Sequence, residues 1–169
     1  MEAIVYTSNT GTTKEYAKLL SDKLSLHYYS LDEIKNKVKP GGKIIYLGWI
    51  MASGVKGYKK AIKDYDVCAV GAVGMGATGT QVKEVRTKNK IPSSKPVFTL
   101  QGGFDVKKLH GIYKIMMTIM VKTAGKGLAN KQDRTQEEDQ MLEMMLHGGK
   151  YVDEKNLKAI LDWYGKRGE

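Results

Sequence analysis

A single cysteine, Cys68, rules out an internal disulfide in a chain of 169 residues and fits a reducing compartment. Three prolines and 41% hydrophobic residues exclude a proline-rich or disordered composition. The chain has no run of about 18 uncharged apolar residues, so no transmembrane helix is expected. The opening "MEAIVYT" lacks a basic leader and runs straight into a strand-like segment. The expectation is a cytoplasmic protein. His27, His110 and His147 are scattered, with no i,i+4 spacing and no cysteine cluster, so no metal site is expected. Acids are scarce as well: 18 Asp plus Glu face 28 Lys plus Arg, for a net charge of +10. That excess attracts anions, whether nucleic acid, phosphate ligands, acidic lipid or an acidic partner, without choosing among them.

What is present is alternation. Apolar strand-like runs occur at 3–8, 26–31, 43–50, 65–73 and 95–101, with helical patterns between them. Thr12 or Thr13 can cap a first helix in which Tyr16, Ala17, Leu20 and Leu24 recur at helical spacing. Helices are also expected at 55–63 and 79–88. Near-continuous apolar strands alternating with helices predict an α/β fold with a parallel sheet covered on both faces. Length, and the absence of a long linker or a repeat, predict one domain over 1–169. Ligands of such a sheet sit beyond the carboxyl ends of its strands, which directs attention to loops 8–13, 48–54, 73–79 and 102–105.

The first of these loops is rich in hydroxyls. Five hydroxyl residues fall between Thr7 and Thr13, around Gly11, where a strand passes into a helix. A cap needs one such residue. Free N–H groups, the positive end of the helix dipole and several hydroxyls together suit a phosphate. The pattern G-x-x-x-x-G-K-[ST] is missing and no lysine lies within the loop, which argues against nucleoside-triphosphate hydrolysis.

The run Ser8-Asn9-Thr10-Gly11-Thr12-Thr13 resembles the phosphate loop of flavodoxins, [ST]-x-T-G-x-T, and like it lies between the first strand and a helix. The resemblance implies a three-layer sandwich with a five-stranded parallel sheet in the order 2-1-3-4-5, and FMN held by its phosphate at this loop. It also assigns Trp49, Ile50, Met51, Ala52, Ser53 and Gly54 to a second flavin loop, and Val73, Gly74, Met75 and Gly76 to a third. Trp49 either stacks on the flavin ring or lines the core at a strand end. Gly74, Gly76 and Gly79 also spell G-x-G-x-x-G after a strand. That run sits on the fourth strand, and the next strand ends in Leu100-Gln101 with no acid for a ribose, so the dinucleotide reading is the weaker one.

Residues 48–63 and 71–83 contain no acid, and the former carry Lys56, Lys59, Lys60 and Lys63. Positive charge stabilises the negatively charged reduced flavin and raises its potential. Two-electron oxidoreductase chemistry is therefore expected, with a one-electron carrier as the alternative. No residue is assigned to acid–base catalysis. After the fifth strand, "QGGFDVKKLHGIYKIMMTIMVKT" resembles the insertion of oxygen-independent, flavodoxin-type protoporphyrinogen oxidases, which places an insertion at about 103–134. The resemblance implies a redox partner or quinone. Residues 107–123 open on Lys107 and Lys108 and are then largely apolar, with Lys114, Thr118 and Lys122 forming one stripe. They read either as a segment folded over the domain or as a peripheral contact with the inner face of a membrane. No aromatic–basic motif supports nucleic-acid binding. Thr135 and Glu138 form a capping box before a further helix that Gly148 and Gly149 end, and Asp153 caps the last helix.

Overall fold

The computed structural model describes residues 1–104 and 111–167. The strands are β1 (Ala3–Thr7), β2 (Tyr28–Ser30), β3 (Lys43–Met51), β4 (Gly54–Val55), β5 (Asp66–Gly74), β6 (Val97–Gln101), β7 (Gly103–Phe104) and β8 (Gly149–Lys150). The helices are α1 (Thr12–Leu24), α2 (Tyr58–Asp64), α3 (Val82–Asn89), α4 (Gly111–Met120), α5 (Lys126–Ala129), α6 (Gln136–His147) and α7 (Lys158–Gly165). A π-helical turn, Val121–Gly125, joins α4 to α5.

The fold is α/β with a mostly parallel central sheet. Its main path runs β2-β1-β3-β5-β6, every pairing parallel, and β4 adds a short antiparallel edge to β3. The sheet therefore has six strands rather than the five expected. The addition comes from residues 48–54, which do not form an open loop. β3 continues through Met51, and Ala52 and Ser53, both at positive φ, turn the chain back onto it. β7 and β8 pair in a separate antiparallel ribbon.

Alternation along each strand divides the core in two. Ala3, Val5, Ile44 and Tyr46 face one cluster with Tyr58 and Ala61 of α2 and Val85 of α3. Ile4, Tyr6, Ile45 and Leu47 face the other, with Tyr16, Ala17 and Leu20 of α1 and Ile160 of α7. Period-2 side chains buried on both faces account for the near-continuous apolar strands. The bulge at Cys68, where Ile44 pairs Val67 and Ile45 pairs Ala69, resets that parity within β5.

Two helix starts differ from the sequence expectation. The N-cap of α1 is Gly11, at φ 104°, and no side chain caps the helix. Thr12 and Thr13 already lie inside its first turn. The third helix begins at Val82 rather than near Gly79, because Thr78–Thr80 fold back onto β6 instead. The capping box of Thr135 and Glu138 forms on α6, and Gly148 ends that helix at φ 72°. Asp153 caps a 3₁₀ turn, Glu154–Leu157, that leads into α7. Residues 105–110, part of the expected insertion and membrane segment, lie outside the described residues. No described helix is long and apolar enough to cross a membrane.

Candidate functional site

Because the strands are parallel, their carboxyl ends share one edge. Register aligns Thr7 with Gly48, Trp49 with Val73, and Gly74 with Gln101. The loops after β1, β3, β5 and β6 all leave from this edge, the place expected for a ligand.

At the first loop, Gly11 donates its N–H to Ser8 Oγ at 3.2 Å, and Thr12 Oγ1 donates to the Gly103 carbonyl at 3.2 Å. The second bond ties the loop to the segment after β6. Asn9 and Gly11 are exposed, and Ser8 and Thr10 half-buried. Nothing lies within 4 Å of where a Gly11 side chain would stand, so its glycine serves the left-handed backbone and not a steric need. Thr13 is the exception in this loop. It is 1% exposed, and its Oγ1 is buried without a hydrogen-bond partner. A buried hydroxyl left unpaired costs about 1–3 kcal/mol. Together with the uncapped helix start beside it, the orphan is what a phosphate oxygen would satisfy.

A polar anchor underlies the loop. The Tyr46 hydroxyl lies 2.6 Å from the Lys56 carbonyl and 2.7 Å from Thr7 Oγ1. A carbonyl only accepts, so Tyr46 donates to Lys56 and takes its own bond from the Thr7 hydroxyl. Burial pushes the Tyr46 phenol well above its usual range, and the group stays neutral. Gly57, at φ 81°, passes so close that a Cβ would collide with both hydroxyls. The anchor thereby joins the end of β1 to the segment after the β3–β4 hairpin.

The second group of expected residues forms that hairpin. Ile50 and Met51 belong to β3, Ala52 and Ser53 to the turn, and Gly54 to β4. Ile50 is half-buried and packs one side against the core. Trp49 is half-buried at the strand end with Lys56 Nζ 5.6 Å from its ring centroid, a cation–π contact. Asn89 of α3 fixes the hairpin: its Oδ1 accepts the Val55 N–H at 2.9 Å and its Nδ2 donates to the Ser53 carbonyl at 2.9 Å.

In the third group, Val73 is buried in the core, while Gly74, Met75 and Gly76 are half-buried at the edge. The loop is stitched to β6. Gly79 N–H donates to the Thr99 carbonyl, Thr99 Oγ1 to the Thr80 carbonyl, and Gln101 N–H to Thr78 Oγ1. Gly79 therefore serves a turn at φ 87° and does not open a helix, which removes the geometry of a dinucleotide fingerprint.

A cleft of about 310 Å³ opens between this loop and α6. Gly76, Ala77, Thr80, Gln81 and Gln101 form one wall, and Thr135, Glu138, Gln140 and Met141 the other. Of the residues expected at the site, Gly76 alone lines it. Sequence reasoning missed the α6 wall and Gln101, although Gln101 ends a strand at the ligand edge, a signal in itself. The structure also brings two acids from elsewhere in the chain close to the acid-free runs. Glu138 brings a carboxylate to the cleft, balanced by Lys131 Nζ at 2.6 Å and by the Thr135 N–H at 2.9 Å. The bond from Lys131 holds its carboxyl below the usual range. Likewise Asp32 comes across to Lys60, at 2.8 Å. Among the described residues no group of three His, Cys, Asp or Glu could hold a metal. Comparison of the chain with protein-family models, with curated proteins and with solved structures finds no match.

Proposed function

We propose that the chain is an FMN-binding, flavodoxin-like oxidoreductase, resembling the oxygen-independent protoporphyrinogen oxidases, that works with a redox partner or quinone. The observation that carries this reading is Thr13 Oγ1, buried and unpartnered at the uncapped start of α1. The order β2-β1-β3-β5-β6 also fits that family's sandwich. Ser8, Thr10, Thr13 and the first N–H groups of α1 would hold the phosphate, with Gly11 supplying the left-handed turn that presents them and Thr12 tying the loop to Gly103. The β3–β4 hairpin and residues 74–76 would border the ring, and Trp49 offers it a flat face. FMN, when bound, supplies the redox-active isoalloxazine. The chain's part is to fix its position, keep water from the ring and set the local charge.

That charge favours two-electron chemistry. Lys56 stands against the hairpin, its N–H donating to the Trp49 carbonyl, and the one carboxylate described on the cleft wall, Glu138, is neutralised by Lys131. Glu138 is also what speaks for the competing reading, a one-electron carrier, since a nearby carboxylate lowers a flavin's potential. The test is titration of the cofactor-free protein with FMN, followed by quenching of flavin fluorescence, and then potentiometry. Saturable quenching with a high midpoint potential supports the oxidoreductase, and a potential as low as that of electron-carrying flavodoxins supports the carrier. Absence of FMN binding removes both.

A further inference from the structure

We propose that α4 docks on an anionic membrane surface, with Ile115 and Ile119 entering the interface and Lys114, Lys122 and Lys126 meeting the lipid headgroups. Ile115 is 61% exposed and Ile119 57%. They are one turn apart and so share a face. The exposed stripe of this segment reads Gly111, Lys114, Ile115, Thr118, Ile119, Lys122, Thr123. A segment simply folded over the domain would turn its isoleucines inward and leave only lysine and threonine outside. Here Lys114 and Lys122 face water together with Ile115 and Ile119.

The charge selects the partner. From Gly111 to Gln132 there is no Asp or Glu, and no described acid pairs with Lys114, Lys122 or Lys126. A nucleic acid would match the lysines but not the isoleucines. A second copy would bury the isoleucines but bring together two chains of +10. An anionic bilayer satisfies both, because lysine stems lie along apolar surface while their heads reach the phosphates. α4 spans about 15 Å, half of a hydrocarbon core, so the attachment is in the plane of the surface.

The test is vesicle flotation of the full chain, with and without FMN, on phosphatidylcholine alone and on phosphatidylcholine mixed with phosphatidylglycerol. Binding to the mixed vesicles only, weakened by salt, is expected. Removing each lysine should reduce the partition coefficient about fivefold. Ile115→Ser with Ile119→Ser should reduce it at least as much, with far-UV dichroism unchanged. No binding to anionic vesicles at low salt overturns the proposal, as does binding that these variants leave intact. A dimer split by Ile115→Ser and Ile119→Ser assigns the face to a second copy and overturns it too. The outcome is independent of FMN titration.

Discussion

Asn89 reaches across from α3 to the Ser53 carbonyl at 2.9 Å, and with its other amide atom holds the Val55 N–H. A side chain 8% exposed on one helix thus sets the shape of the hairpin that ends β3. Asn89→Ala leaves a buried N–H and a carbonyl unpaired. We expect a loss of about 2 kcal/mol in urea unfolding. A change below about 0.5 kcal/mol, the level of an ordinary surface substitution, would show that the hairpin holds itself.

Thr13→Val separates ligand binding from stability. Valine keeps the shape and removes the orphaned hydroxyl, so the unliganded protein should be as stable as before or slightly more so. FMN affinity should fall about ten- to a hundredfold, the worth of a hydrogen bond to a charged group, while riboflavin, which lacks the phosphate, should bind unchanged. Equal losses for FMN and riboflavin would remove Thr13 from the phosphate site.

Tyr16 joins three distant segments. Its hydroxyl donates to the Gln101 carbonyl at 2.5 Å and accepts from Asn156 Nδ2 at 2.6 Å. Burial raises its pKa, which keeps it a donor at neutral pH. Tyr16→Phe should cost about 1–3 kcal/mol and raise amide exchange at Gln101 and Asn156. If unfolding midpoints coincide, the carbonyl has found another donor.

Asp66 gives a pH signature. Lys95 Nζ donates to its Oδ1 at 2.6 Å, and that bond, more than the charges of Lys95 and Lys43, lowers its pKa. A lowered folded pKa means stability present above the unfolded value of about 3.9 and lost as pH falls through the folded one. The side chain is 42% exposed, so Asp66→Asn should cost only about 0.5 kcal/mol at neutral pH. The two proteins should converge in acid. A gap that persists to about pH 2 would contradict the ion pair as its source.

The acid-free runs at 48–63 and 71–83 were legible as sequence but not as a rim, because charge acts through space. Lys131 and Glu138 meet seven residues apart around the α6 cap, and Glu138 then faces, across a cleft, Ala77, 61 residues away in the chain. Residues 48–54 misled for a local reason. Nothing in "GWIMASG" marks a turn at Ala52–Ser53, where neither residue is a glycine although both adopt positive φ, and Asn89, which bonds the Ser53 carbonyl, lies 36 residues further along the chain. The capping box on α6 was readable because both of its partners lie within one turn.

By itself the sequence determined the α/β class, the parallel strands buried on both faces and the hydroxyl-rich turn after β1, all set by periodicity and residue chemistry over a few positions. The tertiary structure alone decided that Thr13 is buried without a partner, that α6 walls a cleft against the third loop, and that Ile115 and Ile119 face outward. Burial and pairing at those positions depend on which distant segments pack there, and no local pattern encodes that.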